Sequence, residues 1–227
     1  MKLSPRLKAA ADFVRCGKKI ADIGTDHAFL PCHLLRAGIC QHMIAADVSE
    51  NALARARANL TRQKLIDRAE VVLADGLNAV NRKCGCISVM GMGGELMARI
   101  LREGQDKLQG AVLVLGAHTE LHLVREAIRD IGYHIVQERL CKAAGRFYVF
   151  WRAEADPADM SAEELRYGNL LWQGEQPLLR EYAAWRCRVH QDKERGLLAA
   201  TVRDEAAISE VQADIAWYTT KLEELTC

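Results

Sequence analysis

Lys19-Ile20-Ala21-Asp22-Ile23-Gly24-Thr25-Asp26-His27-Ala28-Phe29-Leu30-Pro31 is the stretch on which the reading of this chain turns. Residues 19–23 are short and mostly apolar, as a buried strand is, with an acid near their end. Gly24 permits a sharp turn, Asp26 and His27 follow at once, and Phe29 to Pro31 open a helix. Strand, glycine turn and helix in that order place a ligand site beyond the carboxyl end of a parallel strand.

The flanking sequence repeats the unit. Upstream, Ser4 and Pro5 are a good N-cap and first helical residue for a helix over residues 4–14. Downstream, a helix after Pro31 ends near Gly38, and His42 to Asp47 reads as a second strand ending in an acid. Ser49 caps a helix reaching about Gln63, and Glu70 to Asp75 is a third strand, again ending in an acid. Cys86 to Met90 is a fourth, followed by Gly91-Met92-Gly93-Gly94 and a helix. Ala111 to Leu115 is a fifth, with a helix from about Glu120 to Ile131. Strands that alternate with helices predict an open parallel α/β sheet. The runs Tyr133–Leu140 and Arg146–Trp151 are separated only by residues 141–145, too few for a crossover helix, so they are expected to pair antiparallel.

Composition changes after Arg152. Residues 1–152 carry 23 Lys+Arg against 15 Asp+Glu, whereas residues 153–227 carry 8 against 15. We therefore expect a Rossmann-like domain over 1–152 and a helical domain over 153–227. In the latter, apolar residues at three- and four-residue spacing, with a break near Thr201–Glu205, predict a coiled-coil-like pair of antiparallel helices. A basic body suits a polyanionic partner, and Lys2, Arg6, Lys8, Arg15, Lys18 and Lys19 cluster around the first helix. Apolar runs fall short of the ~20 residues that span a bilayer, and the first residues lack an apolar signal core, so a cytoplasmic protein with no membrane contact is expected. The eight cysteines are scattered with no C-x-x-C pair, which favours free, mostly buried thiols over zinc or disulfides. His118 and His122 stand four apart without an evident third ligand, so no metal is expected.

Asp22, Asp47 and Asp75 end three successive strands and should line one edge of the sheet. An acid after the second strand can accept both hydroxyls of a ribose, and Asp75 with Gly76 can meet an adenine. A nicotinamide dinucleotide fits less well, because Asp26 would sit where its phosphates belong. A nucleoside without phosphate is favoured. S-adenosylmethionine, whose sulfonium and ammonium suit carboxylates, has that shape.

Asp22-Ile-Gly-Thr-Asp-His-Ala-Phe-Leu-Pro31, Asp75-Gly76-Leu77 and Gly91-Met92-Gly93-Gly94 resemble the bacterial tRNA (adenine(22)-N(1))-methyltransferases, and the order of elements does so over nearly the whole chain. The resemblance implies a class I methyltransferase fold, S-adenosyl-L-methionine as methyl donor and tRNA as partner. It implies that Asp22, Gly24, Thr25, His27, Asp47, Val48, Asp75, Gly76 and Gly91 surround the donor. Met92, Gly93 and Gly94 would face the target base, and the basic cluster around the first helix puts Lys2, Arg6 and Lys8 on the RNA. Asp26 is the expected general base. Two departures stand out: the loop Leu115-Gly116-Ala117-His118-Thr119-Glu120, and the absence of the Asn/Asp-Pro-Pro-Tyr turn of amino-directed methyltransferases. Ring N1 of adenine is already an in-plane lone pair and needs no activation of an amine, which accounts for the second. The same fold acting on another RNA base or a small molecule, and an RNA-binding protein without turnover, are the rival readings. A monomer or weak dimer is expected.

Overall fold

The computed structural model describes residues 3–226 apart from residue 16; Lys2 and the side chain of Lys18, both in the expected basic cluster, lie outside the described set. The chain opens with α1 (Pro5–Phe13), whose N-cap Ser4 accepts the amide of Leu7. Then follow β1 (Gly17–Ile23), α2 (Phe29–Arg36), β2 (Cys40–Asp47), α3 (Glu50–Arg62), β3 (Ala69–Leu73), β4 (Cys86–Met90), α4 (Gly94–Glu103), the single turn α5 (Gln105–Leu108), β5 (Val112–Ala117) and α6 (Leu121–Asp130). A hairpin, β6 (His134–Ala143) and β7 (Arg146–Glu154), and the short α7 (Ala162–Tyr167) come next, then the long helices α8 (Gln176–Ala199) and α9 (Glu205–Glu224).

The seven strands form one sheet in the order β3-β2-β1-β4-β5-β7-β6. The first five are parallel, and β7 pairs antiparallel with both β5 and β6. Burial on both faces explains the near-continuous apolar strands: Ile20, Ile44, Ile87 and Val114 are fully buried. The hairpin is tighter than the spacing suggests. Only Ala144 and Gly145 turn the chain, both at positive φ (48° and 75°), as two-residue hairpin turns require. The cysteines in the described residues are free; burial pushes the Cys86 thiol up to about 12 and that of Cys40 to about 11.

The chain divides into Met1–Leu171 and Trp172–Cys227. The boundary thus lies beyond Arg152, where composition changes. The reason is a buried ion pair. Arg125 on α6 and Glu138 on β6 are each 1% exposed and meet at 2.6 Å. Glu138 also accepts Trp151 Nε1 at 2.7 Å and the Leu171 amide at 3.0 Å, while Arg125 donates to the carbonyls of Leu165 and Arg166. Those bonds fasten the segment through Leu171 to the sheet, although its composition matches the helical region. In the second unit, α8 and α9 pack through Tyr182, Trp172, Trp217 and Tyr218, and His190 Nδ1 stands 3.3 Å from Asp214 Oδ2 inside that apolar seam. The helices and their break fall where the apolar spacing predicts.

Replacing Arg125 with Met should destabilise the first unit by roughly 3–5 kcal/mol, because it strands the Glu138 carboxylate in the core. Urea denaturation measures the loss, and hydrogen exchange should show the Leu171 amide losing protection first.

Candidate active site

The sheet order reverses between β1 and β4: β1 leads outward to β2, and β4 leads the other way to β5. Crossovers diverge there and leave a crevice at the carboxyl edge. A cavity of about 660 Å³ occupies it. Gly24 allows the two strand ends to come together. Its φ is +79°, and a Cβ there would lie 2.6 Å from the Met90 carbonyl oxygen, so no other residue fits.

Eleven of the residues expected at the site line this cavity. Asp22, Gly24, Asp26 and His27 come from the end of β1, Asp47 and Val48 from the end of β2, Asp75 and Gly76 from beyond β3, Gly91 and Met92 from beyond β4, and Arg6 from α1. Thr25 is not on the wall. It lies beneath, 2% exposed, with its amide bonded to the Ala46 carbonyl. Gly93 and Gly94 are also off the wall. Gly94 starts α4, its amide donates to the Thr119 carbonyl at 3.2 Å, and a Cβ on it would lie 2.4 Å from two backbone oxygens. The departing loop after β5 therefore braces the Gly91–Gly94 turn. Lys8 is exposed away from the cavity. His118 precedes α6 and packs on Tyr148, while His122 lies on the helix facing Glu120, so their four-residue spacing does not aim them at one point. Among the described residues no group of three His, Cys, Asp or Glu is placed to hold a metal ion.

Asp22 is 5% exposed. It pairs in register with Ser88 of β4, whose hydroxyl donates to its carboxylate at 2.5 Å. Burial raises its pKa from 3.8 to about 6; the Ser88 and Thr25 hydroxyls oppose the rise, and the charge of Asp47 adds to it. The Thr25 hydroxyl stands near but makes no hydrogen bond of ordinary geometry. Asp47 is held by the Ser49 amide at 2.8 Å on Oδ1. Beside it Val48 is 67% exposed, an apolar lip on the cavity.

Asp26 stands at the open edge, its side chain 57% exposed. Arg55 of α3 grips its Oδ1 with two donors, at 3.0 and 2.8 Å, and His27 Nε2 is 3.7 Å away. His27 and Ala28 both hold left-handed conformations, φ 59° and 49°, a strained arrangement for residues with a Cβ. Asn59 sustains it. Its buried side chain donates to the His27 carbonyl at 2.7 Å, and the His27 and Phe29 rings stack at 5.1 Å, 7° from parallel.

Sequence reasoning passes over Ser88, Arg55 and Asn59, and over the part of the wall formed by Leu7, Leu96, Arg99 and Ile100; Phe29 and Leu30 lie within the Asp22–Pro31 stretch that it singles out. Asn59 carries a readable signal: it is a polar residue on the otherwise apolar face Ala52, Leu53, Ala56, Leu60 of α3. Ser88 and Arg55 carry none, since register and helix docking place them. Chemically, the site offers three strand-end carboxylates, an apolar lip and a glycine-lined floor. That set suits a hydroxyl-bearing, positively charged nucleoside better than a pyrophosphate.

Residues 3–151 match the Methyltransferase domain family. The tRNA (adenine(22)-N(1))-methyltransferase of Bacillus subtilis (strain 168) is 32% identical over 161 residues, 70% of this chain and 68% of that one. A Streptococcus pneumoniae protein of 30% identity superposes with a TM-score of 0.87 over 97% of this chain and all of its own, and with 0.83 in its complex with S-adenosyl-L-methionine. The crystal structure of the B. subtilis m1A22 tRNA methyltransferase, at 24% identity, has the same fold, with a TM-score of 0.87 over 97% of this chain and 99% of its own.

Because the pKa of Asp22 is raised on folding, its contribution to stability is fully present below 3.8 and is lost as pH climbs through 6. Asp22→Asn keeps the Ser88 bond and removes the charge. It should be more stable than the parent by about 3 kcal/mol at pH 7.5, with the gap closing toward pH 4. Denaturant melts across that range measure it.

Proposed function

Because this chain belongs to the tRNA (adenine(22)-N(1))-methyltransferase family, we propose that it methylates N1 of the adenine at position 22 of tRNA with S-adenosyl-L-methionine as donor. The observation that carries the reading is the row Asp22, Asp47, Asp75 around one cavity at the switch point, next to the Gly91–Met92 turn. The donor, when bound, supplies an electrophilic methyl group on a positively charged sulfur.

The residues divide the work as follows. Asp47 accepts ribose hydroxyls, its carboxylate kept in place by the Ser49 amide. Val48, Gly76 and Ile100 make the apolar slot for an adenine, with Asp75 at its amino edge. Asp22 faces the positive end of the donor; ionising it in the core is favoured by a cation alongside. Gly91 and Met92 leave room for the target base, and bracing by Thr119 holds that turn still. Methyl transfer to an in-plane lone pair needs alignment above all, so a rigid turn contributes most of the rate. The cationic product then sheds a proton from its amino group. Asp26 receives it at the open edge, with Arg55 fixing the carboxylate.

The basic first unit supports tRNA as partner, and a tRNA substrate places the reaction in the cytoplasm. No helix among the described residues is long and apolar enough to cross a membrane.

Incubation with unmodified tRNA and methyl donor, followed by nucleoside analysis, should yield 1-methyladenosine, and none from a transcript with guanosine at position 22. A different methylated nucleoside would move the reading to another base, and donor binding without product would make the chain a binding protein. Asp26→Ala should lower kcat by about 10–100-fold while donor affinity stays within about twofold. An unchanged kcat removes Asp26 from the chemistry.

A further inference from the structure

Arg6 lines the cavity, yet among the described residues it has no carboxylate partner. The other arginines of this neighbourhood do: Arg55 is paired with Asp26, Arg99 with Glu103 and Arg139 with Asp12. Arg6 instead lies on an aromatic face, its guanidinium carbon 5.3 Å from the centroid of the Tyr148 ring. Tyr148 is half-buried in β7 and touches His118 on its other contact, ring centroids 5.5 Å apart. The register explains the meeting. Ala117 of β5 pairs with Val149, so His118 and Tyr148 are the next residues out on that rung. Met90 pairs with Gly116, which puts Gly91 and Met92 on the same carboxyl edge. Neither Tyr148 nor His118 takes part in the donor pocket.

An aromatic face holds a guanidinium without neutralising it. The cation keeps its donors for an anion, on the lining of a cavity that also carries the carboxylates of Asp22, Asp26, Asp47 and Asp75. Carboxylates in that number would repel an RNA strand, and something must offset them where the strand enters. We propose that Tyr148, steadied by His118, is a positioning residue that holds Arg6 at the cavity mouth to take a phosphate oxygen of the RNA strand carrying the target adenine. The inference rests on the tRNA reading above. It adds an entry-side contact built from α1, β7 and the divergent loop after β5. The same cation chemistry also suits the carboxylate of an amino-acid ligand, so the test must separate the two sources.

The test titrates the full-length protein with unmodified tRNA at several salt concentrations, and separately with S-adenosyl-L-methionine. Arg6→Ala should weaken tRNA binding about tenfold and lower the log–log salt slope by about one. Tyr148→Leu, which changes no charge, should weaken it about fivefold, and Tyr148→Phe, which keeps the ring, should restore it. The double variant Arg6→Ala/Tyr148→Leu should bind no more weakly than Arg6→Ala alone, because one residue acts through the other. Donor affinity should stay the same throughout, which also shows that each variant is folded. Losses that multiply in the double variant, or Tyr148→Leu binding tRNA as the parent does, overturn the proposal. So does Arg6→Ala weakening the donor in place of tRNA, since the anion would then be the donor's carboxylate. A parent protein that makes no 1-methyladenosine fails the functional reading. A parent that makes it, with Tyr148→Leu unchanged in affinity, fails only this one.

Discussion

The molecule depends on the meeting of two backbones at Gly24 and Met90. The carboxyl ends of β1 and β4 approach so closely that a single Cβ would strike a carbonyl oxygen at 2.6 Å. With the two ends held together, their crossovers must diverge, and the crevice opens between them. Asp22 ends up two residues inside that junction, opposite Ser88, deep enough for burial to raise its pKa. The cavity, the buried acid and the position of the Gly91–Gly94 turn all follow from this contact.

Around the junction the protein holds several features that would be unfavourable alone. Asp22 is a buried carboxylate, and His27 and Ala28 are consecutive left-handed residues. Each is held by a group from another element: the Ser88 hydroxyl, the Asn59 amide, and Arg55 gripping the neighbouring Asp26. Strain and buried charge kept in place by such cross-element bonds are characteristic of a pocket preorganised for a ligand. The Gly91–Gly94 turn is held in the same way, through Thr119.

Both signs of charge stand on the cavity lining, Arg6 and Arg99 together with Asp22, Asp26, Asp47 and Asp75. The strand ends contribute carboxylates suited to a cationic nucleoside, and the α1 side contributes a guanidinium resting on a tyrosine ring. A methyl donor carries positive charge and an RNA strand carries negative charge, so on the reading proposed above one pocket would need both signs in separate places. Separation is achieved by the antiparallel end of the sheet: β7 brings Tyr148 beside the loop after β5, on the same edge as the donor pocket.

Much of this was legible from local sequence. Periodicity gave the alternating strands and helices, the short 141–145 segment excluded a crossover, and the acids at strand ends marked the edge where a ligand sits. These are near-neighbour properties, set by side-chain spacing and backbone preference. Whatever depends on register or docking was not legible. Ser88 opposite Asp22, Arg55 on Asp26, Arg6 on Tyr148 and Thr119 behind Gly94 join residues far apart in the chain. The domain boundary belongs with them: composition changes after Arg152, but the Glu138 carboxylate in the core takes the Leu171 amide and draws the chain back onto the sheet. A buried charge must find its partners wherever the fold brings them. The sequence by itself determined the sheet and the row of acids; tertiary structure alone decided which groups hold each acid, because those partners meet only after the strands have paired.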